Sequence, residues 1–195
     1  SGMMAQLCTG LRLYITDSFG IKTSAGRLRA IDGRFESNTF DLGVFLEAEK
    51  PRAADQNTYR FPDDRFLPVD WSISLTNKTY LPDEKSLRDD GSTYNSVQHL
   101  LGFILNKPVT PWLSVTGSTH WAYEGNIGSY AEGTFGVTVH PKWMRFGPVR
   151  TTVTAEYGVA GGGNTNVDAG RIMQAAAGAE IPLSENLSLE IRAGR

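Results

Sequence analysis

Trp112-Leu113-Ser114-Val115-Thr116-Gly117-Ser118-Thr119-His120-Trp121 alternates with a period of two. Leu113, Val115, Gly117, Thr119 and Trp121 fall on one parity, and Ser114, Thr116, Ser118 and His120 on the other. Successive side chains of a strand point to opposite faces, so this stretch predicts a strand with one apolar and one polar face. Whether the polar or the apolar face looks inward decides between a membrane barrel and a soluble barrel or sandwich.

The same alternation recurs on either side. Strands are expected over residues 7–16, 39–49, 70–78, 112–123, 130–140, 149–159, 171–181 and 187–193. Residues 17–26 read as a loop, and 27–33 as a short strand at most. Residues 97–105 are nearly all apolar, which fits a strand buried on both faces or a short helix. Lys107-Pro108-Val109-Thr110-Pro111 and Pro182-Leu183-Ser184-Glu185-Asn186 read as tight connections, because proline ends strand pairing. The stretches 51–68, 79–93 and 161–170 are longer polar loops. The fold class is therefore all-β, an antiparallel meander closed into a barrel of about 8–10 strands. A single domain is expected to span residues 1–195, with Ser1-Gly2-Met3 as a cloning remnant.

Composition excludes several functions. The net charge of −2 is the wrong sign for a non-specific nucleic-acid surface. Cys8 is the only cysteine, so neither an intrachain disulfide nor a cysteine zinc cluster is available, and it reads as a strand-end thiol. No run of 18 apolar residues exists for a membrane-spanning helix. Barrel strands are shorter and only half apolar, so that test does not bear on them.

On the last five strands the apolar parity carries Phe135, Val137, Val153, Met173 and their neighbours, with Arg171 as its single charge, at a strand start. The polar parity carries Glu132, Arg150, Glu156, Glu180, Glu190 and Arg192. Aromatic residues sit near strand ends: Trp112 and Trp143 at the short-turn end, and Trp121, Tyr123, Tyr130 and Tyr157 at the long-loop end. Amphipathic rings collect at the two membrane–water interfaces, so these six are candidate belts. Nine steps from Trp112 to Trp121, at ~3.3 Å each and a tilt of about 40°, span roughly 23 Å, close to the apolar band of a membrane barrel.

In these features, and in "PWLSV" (111–115) and "EIPLSENLSLEIRAG" (180–194), residues 112–195 resemble bacterial outer-membrane β-barrel proteins as a class. The resemblance implies an outer-membrane location, a structural, adhesive or porin-like transport role, membrane lipid or lipopolysaccharide against the wall, and a small-molecule solute inside. In that reading the six polar-parity charges become a lumen set of ion pairs, Arg150 with Glu132 or Glu180 and Arg192 with Glu180. Two features depart from the class. The chain closes on Ala193-Gly194-Arg195 rather than on a terminal Phe or Tyr. The strand count comes to about nine where single-chain bacterial barrels use an even number, so a strand is missing from residues 25–105 or the chain is cut short.

Two other readings compete. A soluble barrel, periplasmic or secreted, would bind an apolar ligand on an interior lined by Phe135, Val137, Val153 and Met173. A lipid-modifying hydrolase would use Ser118 and His120, two apart on one strand face, with Glu132 on the next strand to orient the imidazole. Some outer-membrane deacylases carry His and Ser two apart, but here the order is reversed and the wider motif is missing. His120 and His140 have no carboxylate at ligand spacing, so no metal site is expected, and no cofactor fingerprint occurs. The acids Asp63-Asp64 and Asp89-Asp90 and the glycine loop 161–168 read as solvated loop residues rather than calcium ligands.

Overall fold

Ten antiparallel strands close into one barrel, each paired with its neighbours in sequence and the last with the first. In chain order they are β1 (Met4–Tyr14), β2 (Phe19–Ala30), β3 (Glu36–Ala48), β4 (Trp71–Pro82), β5 (Gln98–Thr110), β6 (Leu113–Glu124), β7 (Ala131–Val139), β8 (Arg150–Gly161), β9 (Arg171–Pro182) and β10 (Leu187–Gly194). The computed structural model describes residues 4–16, 18–30, 36–48, 71–84, 86, 91–94, 96–110, 112–127, 129–141, 149–162, 170–184 and 187–194. The seam between β1 and β10 runs from Gln6↔Gly194 to Leu13↔Leu187, so no strand edge among these is left open.

The even count comes from β2, where the sequence reading placed a loop and a short strand. Phe19, Ile21, Thr23 and Ala25 alternate with Gly20, Lys22, Ser24 and Gly26 over an eleven-pair register with β3. Its inward parity is small or charged, which disguises the strand as a Gly/Ser loop. Residues 98–110 form a single long strand, not a helix. That strand runs through Pro108, which was expected to end pairing, with a register shift between Pro108 and Thr110. A bulge tolerates the missing proline N–H, and the turn itself is confined to residues 111–112. Strand β4 likewise continues through Thr79, Tyr80 and Leu81, into what read as a polar loop.

The two rims differ. One, here the terminal rim, carries the ends of β1 and β10 and the connections 31–35, 83–97, 125–130 and 162–170. The other, the turn rim, carries 15–18, 111–112, 140–149 and 183–186. Ala48 and Trp71, which bracket residues 49–70, face each other at the turn rim as well. The three long polar stretches therefore do not share one mouth: 51–68 lies outside the described residues but leaves from the end opposite to 83–97 and 162–170.

Polarity across the wall is inverted relative to a water-soluble core. Twelve polar or charged side chains are buried against seven apolar ones, while 28 large apolar side chains are exposed, among the described residues. In β6 the even-numbered Ser114, Thr116 and His120 are buried and Trp121 and Tyr123 are exposed. In β3 Ser37, Thr39, Phe45 and Glu47 are buried while Phe40, Leu42, Val44 and Leu46 are exposed. The polar parity is inside.

Formal charges on outward-facing strand positions are Arg27, Arg29, Glu36, Lys107, Glu124 and Arg171, each within three residues of a strand end. Between those ends lies an apolar band with no formal charge among the described residues. Phe135 is 66% exposed and Met173 79% exposed, so with Val137 and Val153 they form part of this outer wall and line no interior.

Candidate functional site

Ten strands enclose more room than side chains of average size can fill, and here the room is taken by charges and rings. Two inward clusters occupy it. Near the terminal rim, Lys78 Nζ on β4 meets Glu132 Oε1 on β7 at 2.7 Å. Tyr130 donates its hydroxyl to Glu132 Oε2 at 2.9 Å. His120 on β6 lies between: Nδ1 is 3.6 Å from Glu132 Oε1, and Nε2 is 3.1 Å from Thr76 Oγ1. The ring reaches Thr76 because Gly102 on the intervening strand carries no side chain. A Cβ there would come 2.1 Å from His120 Cδ2.

Above this cluster, toward the terminal rim, the interior turns apolar. Tyr94, Leu100, Ile127, Tyr130 and Ala160 pack together with Tyr80 and Ala122 against them. Two rim connections supply Tyr94 and Ile127. The first is pinned to β3, since the Ser86 hydroxyl donates to the Glu36 carbonyl and accepts from the Glu36 N–H. The second is tied to the first through Asn126 N–H donating to Ser96 Oγ.

The second cluster lies toward the turn rim. Arg12 on β1 bridges to Glu47 on β3 at 2.9 Å, and its guanidinium sits 4.5 Å from the centre of the Phe45 ring. Tyr14 donates to Glu47 at 3.2 Å and meets Phe45 edge to face. Phe45 lies over Gly20, where a Cβ would approach its ring to 2.4 Å. Arg150 faces Glu180 across β8 and β9 at 3.6 Å, and Ser188 donates to Glu180 at 2.9 Å. Arg192 bonds Glu190, two residues back on its own strand, at 2.9 Å. His140, just beyond β7, is partly buried near Arg150, and burial first, then that cation, lower its pKa to about 4.

The expected lumen charges thus all face inward, but two of the expected pairings change. Glu132 takes Lys78 from three strands away rather than Arg150, which takes Glu180. Arg192 takes Glu190 rather than Glu180. Glu156 has no ion pair among the described residues; it accepts from Thr134 at 3.4 Å. Five further inward charges, Arg12, Lys22, Asp41, Glu47 and Lys78, are missing from the expected lumen set, which draws on the last five strands alone; Lys22 also falls in residues 17–26, read as a loop. Continuing the same parity through β1, β3 and β4 finds all but Lys22, whose strand has no apolar–polar contrast on its inward side.

Ser118, His120 and Glu132 are all inward, but no serine–histidine pair forms. Ser118 shares a hydrogen bond with Thr134 at 2.8 Å, and His120 turns to Thr76 instead. With Glu132 already engaged by Lys78 and Tyr130, the carboxylate is committed to an ion pair rather than to orienting a base. Among the described residues, no three His, Cys, Asp or Glu side chains converge as metal ligands. Cys8 is not at a strand end but midway along β1, facing inward between Gly26 and Arg192.

Of the six candidate belt residues, Trp112 (turn rim) and Trp121, Tyr123 and Tyr157 (toward the terminal rim) are exposed on the outer wall. Tyr130 is not: it is 8% exposed and belongs to the interior, because its hydroxyl is drawn to Glu132. Trp143 lies outside the described residues. Trp71 and Phe19, also exposed near the turn rim, had not been singled out.

The fold and this interior define a closed ten-stranded antiparallel meander barrel with a charge-paired polar lumen and an apolar exterior. Comparison with protein-family profiles, with curated proteins and with solved structures finds no match.

Proposed function

We propose that the chain is a membrane-spanning β-barrel of the kind held by bacterial outer membranes, with a structural role. The observation that carries this reading is the outer band, apolar over the middle of the strands and free of formal charge among the described residues, wrapped around an interior that holds four ion pairs. In water such an exterior far exceeds the patch a monomeric protein leaves exposed. In a bilayer it meets hydrocarbon, and closure satisfies every backbone group that an open sheet would leave bare. Arg29 and Arg171, outward and exposed at the terminal rim, sit where lipid or lipopolysaccharide phosphates would meet them.

The interior speaks for a scaffold rather than a wide pore. Ion pairs bridge inward side chains on strands two and three apart, and the Tyr94–Ile127–Tyr130 packing fills the β5–β8 side beneath the terminal rim. Passive passage of a small solute is the second reading, favoured by the polar lining alone. Recordings in planar bilayers separate the two, since a scaffold gives no steady conductance.

The deciding experiment is detergent dependence. The chain is expected to precipitate without detergent. In micelles it should fold β-rich, with a mobility on gels that changes on boiling. A monodisperse, β-rich chain in plain buffer would overturn the membrane reading.

A further inference from the structure

Four lumen cations are matched with carboxylates; among the described residues one cation, Lys22, and two carboxylates, Asp41 and Glu156, stand outside these pairs. Arg12 has Glu47, Lys78 has Glu132, Arg150 has Glu180 and Arg192 has Glu190. Lys22 faces the same lumen from β2 and, among the described residues, has no hydrogen bond or ion pair. It stands directly across the β1–β2 ladder from Arg12, so two like charges are neighbours on one face. Side chains directly opposite in a ladder lie about 5 Å apart, and like charges there repel. On its other side is Gly43, which offers no side chain. Arg12 adds a second unmet donor: its Nε is buried and has no acceptor, although its terminal nitrogen is committed to Glu47.

Of the nearby acids one is held in an ion pair, and the other, Asp41, stands diagonal to Lys22 across the β2–β3 ladder without an ion pair among the described residues. Asp41 accepts from Ser24 at 3.0 Å, and Glu190 is held by Arg192. Both donors lie close to the turn rim: Lys22 is three residues from the start of β2, and Arg12 two from the end of β1. Lys22 is only partly buried, so water can reach it.

From this we infer that the turn-rim half of the lumen is a binding site for a small oxyanion, a carboxylate or a phosphate, held between the Lys22 ammonium and Arg12 Nε. One acceptor oxygen on each donor relieves both the repulsion across the ladder and the buried unmet N–H. A charged ligand needs no apolar pocket here, and the Phe45 ring beside Arg12 limits it to a small group. The inference rests on the reading that the charged face is a lumen.

The test uses the whole chain folded in micelles, with inorganic phosphate and acetate as separate probes at constant ionic strength. At about ten times its Kd, the bound probe should raise the temperature of the gel-mobility transition by roughly 3–6 °C. The rise should persist in Lys107→Gln, which removes an outward cation, and vanish in Lys22→Gln. The more effective of the two probes identifies the oxyanion.

A second measurement needs no variant. Amine-directed labelling of the native chain, read by mass spectrometry, should be slowed at Lys22 by the probe and unchanged at Lys107. No thermal rise with either probe, an equal rise in Lys22→Gln, or equal labelling rates would overturn the site. So would Lys22 swinging to Asp41, because labelling would then be slow without any anion. A failure of the lumen reading shows itself separately, as folding without detergent.

Discussion

Lys78 is the residue whose loss the interior should feel most. Its side chain is 21% exposed and that of Glu132 12%, so the pair is largely removed from water, unlike Arg27 and Glu36 at the rim, 57% and 30% exposed. Removing one partner of a buried pair strands the other charge, at a cost of about 3 kcal/mol or more, whereas an exposed pair contributes about 1 kcal/mol at most. Lys78→Met should therefore lower unfolding stability in micelles by about 3 kcal/mol, and Arg27→Ala by under about 1 kcal/mol. Urea titrations of the two variants read this directly, and equal losses would mean that the interior is wet enough to screen the pair. Such partnerships were beyond the sequence. Period-two parity puts Lys78 and Glu132 on the inner face, but they sit on β4 and β7, and only the curvature of the closed sheet brings them together. The Ser118–His120 pair failed for a related reason. Two residues apart on a strand they share a face, yet Gly102 and Thr76 across the ladder, and Thr134 on the other side, give each a better partner than the other.

Individual strands were legible where both parities were distinct. Strands β6 to β10 alternate Ala, Val, Leu or Phe with Ser, Thr, Glu or Arg, and their positions follow from that pattern within a few residues. Legibility failed where one parity lost its character. In β2 the inward positions are Gly20, Lys22, Ser24 and Gly26, and in β5 Leu100, Gly102 and Ile104 make the inward parity as apolar as the outward one. The glycines serve tight packing rather than turning, since a Cβ at Gly26 would meet Cys8 at 2.6 Å. At the level of one strand, the outer band makes a sharp prediction. Ala155 lies mid-strand in β8 and is exposed, flanked across the ladder by Val137 and Ala175. Ala155→Arg should cost about 2–4 kcal/mol of folding free energy in bilayers, the price of a cation near the midplane. The same change on a wall facing water would be nearly neutral. Folding yield into vesicles against yield of the parent chain measures it, and an unchanged yield would place this wall in water.

For the molecule as a whole, the decisive property is closure. An open ten-strand sheet would expose two rows of unpaired N–H and C=O groups, and in hydrocarbon each such group costs several kcal/mol. The pairing that removes them joins the first strand to the last, Leu13↔Leu187 through Gln6↔Gly194, so it forms only when the whole chain is present. Intermediate sheets therefore gain little from inserting, and assembly should be nearly all or none. Deleting residues 187–195 removes β10 and leaves β1 and β9 each with one unpaired edge. Those strands are too far round the wall to pair directly without shrinking the barrel and crowding Arg12, Phe45 and Arg150 inside it. The shortened chain is expected to show no heat-modifiable band in micelles or vesicles, and supplying residues 187–195 as a separate peptide should restore part of it. A shortened chain that still runs as a compact, boiling-sensitive species would show that a smaller barrel can close, and that the charges packed into the lumen do not fix the number of strands. Restoration by the peptide would show the reverse: the seam is the step on which the wall, the ion-paired interior and the apolar outer band all depend.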